Sequence, residues 1–209
     1  MKKIILAAVI LVSGFINAQA PTQFEKGMTS AFKLWEEGKN TEASALFERI
    51  ASAEKNTWLP NYYVALVNTT SSFEIKDKEK VSALLGKAQE ALDIEMGKDQ
   101  KNAELYVMQA MIYTAWIVFD PMTNGMKLSG KVMENYAKAE ALAPNNPRVV
   151  FSKADFEIGG AKYFGTDTKA MCAEVERAIG LFATYKQEIP FGPKWGLDRA
   201  QETLKECKK

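Results

Sequence analysis

Histidine is absent from all 209 residues, so the chain lacks the usual general base near neutral pH and the commonest zinc ligand. Only two cysteines occur, Cys172 and Cys207. Neither follows the N-terminal apolar run, which excludes a lipoprotein attachment site. Basic and acidic residues nearly cancel, 27 against 26, and give no reason to expect nucleic acid or an anionic membrane as partner. No stretch alternates apolar and polar residues far enough to argue for a strand. The apolar run over residues 4–16 is about 13 residues long, against the ~20 that a membrane-spanning helix needs.

With Lys2 and Lys3 before that run and the small-residue site Ile16-Asn17-Ala18 at its end, residues 1–18 read as a secretory signal peptide. Cleavage is expected after Ala18, because a cut after Ala20 would put Pro21 directly behind the scissile bond. Residues 19–209 then form one domain, periplasmic or secreted, with no membrane insertion after cleavage. Its 27 basic residues less the two lysines leave 25 against 26 acidic.

The rest of the chain is organised around residues 136–148, where an alanine-rich segment after Tyr136 runs into Pro144, Asn145, Asn146, Pro147 and Arg148. A proline cannot continue a helix, so this is the end of one helix, a forced stop and the start of the next. Small residues that permit close helix approach recur at Ala31, Ala65, Ala110 and Ala154, spaced by 34, 45 and 44 positions. The first interval is the tetratricopeptide period, and the others are that period plus insertions. The extra residues are expected in the turns within each hairpin: at 72–78, at 119–125 with Pro121 and Asn124-Gly125 as breakers, and at 159–167. Equivalent turns of a solenoid stack along one edge, so these insertions should share a side of the molecule. The expected fold is therefore all-α, a tetratricopeptide-like superhelix of about four hairpins. The amphipathic segment 197–207 would cap its open end.

Several phrases, Trp58-Leu59-Pro60-Asn61-Tyr62-Tyr63, Phe119-Asp120-Pro121-Met122-Thr123, Asn145-Asn146-Pro147-Arg148 and Pro193-Lys194-Trp195-Gly196, resemble a group of secreted bacterial tetratricopeptide-repeat proteins. That resemblance covers essentially the whole mature chain. It implies the fold, an envelope location and a binding or scaffolding role, with no catalytic residues to transfer.

The residues themselves give little for catalysis. Asp155 and Glu157 are two apart and point to different faces of a helix. Gly160 and Gly165 have the spacing of a phosphate loop but lack its lysine and its preceding strand. Convergence of Asp120, Asp155 or Asp167 in a closed pocket would speak for an enzyme. The expectation is a protein that is not an enzyme and carries no cofactor or metal. For binding, the first helix of each repeat projects a groove. It is lined by Met28, Phe32 and Trp35, then Tyr62 and Leu66, then Val107 and Met111, and finally Phe151, Asp155 and Ile158. A mostly apolar, aromatic line suits an extended or helical peptide, so a protein or peptide partner is expected. Arg148 alone could take a carboxylate. The alternative is a small-ligand receptor that uses the edge loops, with Asp120, Met122, Asn124, Lys162 and Asp167 as candidates. The surface with the largest exposed apolar patch separates the two.

A disulfide between Cys172 and Cys207 is expected. An exported chain sits where disulfides persist, and no odd thiol is left over. The positions straddle 189.5, the centre of the turn around Pro190, so antiparallel helices on either side would bring them to the same height.

Overall fold

The structure, a computed structural model, describes residues 22–208, and the expected signal peptide lies outside them. The described residues form the helices α1 (Gln23–Glu36), α2 (Asn40–Ala53), α3 (Leu59–Ser72), α4 (Lys78–Met96), α5 (Ala103–Phe119), α6 (Pro121–Leu142), α7 (Pro147–Phe164), α8 (Lys169–Thr184) and α9 (Leu197–Cys207), with no strand among them. Successive pairs close into four hairpins, α3 packs on α5 and α5 on α7, and α9 lies against α8. This is the solenoid-like arrangement that the alanine spacing predicts. Each marker alanine is at most 1 % exposed, so its missing bulk is what lets neighbouring helices approach.

Helix starts follow from local chemistry. Thr22 and Glu25 close a capping box on α1, and Asp77, Asn102, Asp120 and Asn146 cap α4 to α7 through their side chains. At the central stop, α6 ends at Leu142 and Pro147 opens α7 in its first turn, where a missing N–H costs nothing.

Two of the three expected loop insertions are instead helix. Pro121 starts α6 immediately after its cap Asp120, and Asn124 and Gly125 lie in that helix. The Asn124 amide donates back to the Trp116 carbonyl at 2.8 Å, tying α6 to the end of α5. Gly159 and Gly160 are helical too, and the stop comes only at Gly165, a left-handed cap at φ 69°. The extra length of the later repeats therefore goes into helices of 17, 22 and 18 residues for α5 to α7, against 14 for each of the first three. Residues 73–77 remain as an inserted turn, and of the expected 159–167 only residues 165–167 lie outside helix.

Cys172 and Cys207 are bonded, with Cα atoms 5.9 Å apart, joining α8 to α9. Between those helices, segment 185–196 reaches across to the first hairpins. Phe191 packs on Phe24 and Phe32 at ring distances of 5.8 and 6.1 Å. The Phe191 carbonyl accepts the Tyr63 hydroxyl at 2.6 Å, and the Trp195 indole donates to the Tyr62 hydroxyl at 2.8 Å. At its start, Tyr185 caps a buried ion pair. Arg148, 1 % exposed, donates from Nε to both Glu104 oxygens at 2.9 and 3.0 Å, and its carbon Cζ lies 4.9 Å from the Tyr185 ring centre. Burial works against the guanidinium's charge, but the Glu104 hydrogen bonds and charge outweigh it and hold Arg148 above its ordinary value.

Candidate functional site

Most of the side chains projected to line a groove are inside the core. Met28, Tyr62, Leu66, Val107, Phe151 and Ile158 are each buried. Phe32, Trp35 and Met111 are half-buried and pack against the first core cluster. Asp155 accepts from the Thr203 hydroxyl at 3.0 Å, so it anchors α9 to α7. On the first two hairpins the reason is segment 185–196: Phe191 and Trp195 occupy the space next to α1 and α3 that an external peptide would need.

The exposed apolar surface lies elsewhere. At the junction of α5 and α6, Val118, Met122 and Met126 are 56, 83 and 99 % exposed, and at the end of α7 Tyr163 and Phe164 are 65 and 78 % exposed. The two groups meet. The Tyr163 hydroxyl points to the Met122 sulfur at 3.9 Å, and the Tyr163 and Phe164 rings stand edge-on at 5.1 Å. Exposed apolar side chains that gather at one place mark a binding surface more often than isolated ones do. Unbranched methionine adapts to the shape of what it meets.

The five expected edge residues divide between the exposed patch and the scaffold. Met122 belongs to the patch. Asp120 caps α6, and the hydrogen bonds from Thr123 hold its carboxyl below the usual range. Asn124 is engaged with Trp116, Lys162 is ion-paired to Glu206 at 2.8 Å, and Asp167 accepts from the Lys169 amide at 3.0 Å. Val118, Met126, Tyr163 and Phe164 were missed. The signal was present for three of them: once Pro121 is taken as a helix start, Met122 and Met126 fall four apart on one face of that helix, and Tyr163 and Phe164 end a helix that Gly165 stops.

No known protein family matches the chain, and no curated protein matches it significantly. Among solved structures, the HusA haemophore from Porphyromonas gingivalis shares the fold with a TM-score of 0.77 and 21% identity, over 90% of this chain and 94% of that one. The expectation of a protein-protein scaffold with a protein or peptide partner is therefore corrected on two counts. A solved protein that shares this fold is a haemophore, and the apolar line offered to a peptide here is largely core. No helix among the described residues is long and apolar enough to cross a membrane.

Proposed function

We propose that this chain is a small-ligand-binding envelope protein, tetratricopeptide-like in build, that takes a flat apolar ligand of the porphyrin class on the edge patch. The observation that carries the reading is the exposed cluster of Met122, Met126, Tyr163 and Phe164 on a fold shared with a haemophore. If the porphyrin is haem, the chain's own composition narrows the iron contact. It has no histidine, and no cysteine is free. Of the side chains that commonly hold haem iron, tyrosine and methionine remain. Tyr163 and Met122 supply one of each, side by side. Lys127, next in sequence to Met126 and close enough for its charge to act on Asp120, is placed to meet a carboxylate substituent.

The area is adequate for a moderate affinity. Covering roughly 250 Å² of apolar protein surface, and a similar area of ligand, contributes about 12 kcal/mol in gross terms. Lost freedom on association costs at least ~4 kcal/mol, so the dissociation constant is no tighter than ~1 μM. The basic start and apolar run of the sequence support export, and the absence of histidine supports binding without catalysis. Titration of the mature chain with haem, followed by its visible absorption, should saturate at one haem per chain. A linear change without saturation would refute the reading.

A further inference from the structure

A second hollow lies apart from the edge patch, where the end of α4 meets α5 and α6. Its volume is about 570 Å³, within the ~300–1,000 Å³ of ordinary small-molecule sites. Tyr106, Gln109 and Tyr113 line it from α5, and Lys131, Asn135 and Lys138 from α6. Spacings of three, four and seven put each set on one helical face. The two helices pair in antiparallel fashion, and each ring meets an ammonium: Lys138 lies 6.0 Å from the Tyr106 ring centre and Lys131 5.8 Å from that of Tyr113. The wall thus has two equivalent tiers, separated by seven residues of helix or about 10.5 Å. Between them, Gln109 is fixed by exchanging amide hydrogen bonds with Gln89 at 2.7 and 2.9 Å.

We infer that this hollow binds an acidic oligosaccharide. Ring faces of the two tyrosines match the C–H faces of sugar rings; the Gln109 amide, held by Gln89, and the Asn135 amide, which donates to the Lys131 carbonyl at 2.8 Å, each keep one N–H and a lone pair for hydroxyl groups, which both donate and accept. The charge is also complementary. Glu134 is ion-paired to Lys138 at 2.7 Å and also feels the charge of Lys131, so two ammonium groups against one carboxylate give the lining one excess positive charge, with Lys131 the ammonium outside that ion pair. A sugar carboxylate would draw that ammonium away from Tyr113 and open the ring for stacking, since a cation over a ring at an exposed site is held only weakly. The lining is too polar for the porphyrin proposed at the edge patch, and the repeat of ring and cation two turns apart favours an elongated ligand over a compact one. The inference does not depend on what the edge patch binds.

The test is an NMR titration of the mature chain with a galacturonic acid hexamer, and in parallel with the neutral glucose hexamer. Amide shifts should saturate around residues 96–113 and 131–138 with the acidic oligomer, at an affinity at least about tenfold above that for the neutral one. Lys131→Gln and Tyr113→Leu, both at partly or fully exposed side chains, should each weaken binding about tenfold, while Met122→Ser at the edge patch should leave it unchanged. Equal affinity for the two oligomers, no saturable shift with the acidic one, or undiminished binding in both hollow variants would overturn the inference.

Discussion

Replacing Glu104 with glutamine probes the buried ion pair that joins α5 to α7 and against which Tyr185, at the start of segment 185–196, is packed. The side chains of Arg148 and Glu104 are 1 and 9 % exposed, and Glu104 also accepts from the Asn146 amide at 2.7 Å. Glutamine keeps the shape and one acceptor oxygen but leaves a buried guanidinium without its counter-charge. Breaking a buried pair from one side costs about 3–5 kcal/mol. The retained oxygen puts this variant near the lower end, still a large part of the ~5–15 kcal/mol that holds a domain folded. With a urea dependence of about 2 kcal/mol per molar, the midpoint should fall by about 1.5 M. Tryptophan fluorescence is a suitable readout, because Trp195 sits in the segment that starts at Tyr185, beside Arg148, and donates to the Tyr62 hydroxyl. Adding Arg148→Met to Glu104→Gln removes the stranded charge and should recover part of the loss. A midpoint shift below about 0.5 M, or a double variant no better than the single one, would refute the reasoning.

Reducing the disulfide, or replacing both cysteines with serine, frees a loop of 35 positions and should cost about 4 kcal/mol by chain entropy; urea curves with and without reductant that nearly coincide would contradict this. Gly196→Ala should lower the melting temperature by about 5 °C or more, because Gly196 has φ 112° and an added Cβ would lie 2.8 Å from Phe182; an unchanged melting curve would count against that geometry. Burial holds the phenols of Tyr62, Tyr63 and Tyr136 above their ordinary value, so the folded chain keeps their protons more tightly than the unfolded one. Their contribution is fully present below about pH 10 and is lost as the pH rises beyond it. Alkaline absorbance should show them ionising only with unfolding, and ionisation near pH 10 in a chain with native circular dichroism would contradict their burial.

The frame was legible because it rests on short-range signals. Alanines at the helix crossings, Pro144 and Pro147 around the central stop, and the amphipathic segment 197–207 each act within a turn or two of their own position. Pro121 shows the limit of that reading. The same ring that ends a helix is favoured in the first turn of the next, and only the Asp120 cap decides between them. The burial of most of the groove line is illegible in the sequence for a different reason. Helical spacing says which side chains share a face, but not that Phe191 and Trp195, some 130 positions from Tyr62 and Tyr63, fold back onto that face. Contacts of such sequence separation leave no periodic trace. The exposed patch was half visible, through Met122, and its completion needed the meeting of α6 with the end of α7.

The central claim, that the edge patch and not the groove side is where a ligand sits, comes down to one comparison of haem affinity. The double variant Met122→Ser, Phe164→Ser removes two apolar contacts worth about 1 kcal/mol each and should weaken haem binding about 30-fold. The groove-side variant Trp35→Phe should stay within about twofold of the unaltered chain. Haem binding that survives the edge double variant, or that is lost with Trp35→Phe instead, would contradict the account.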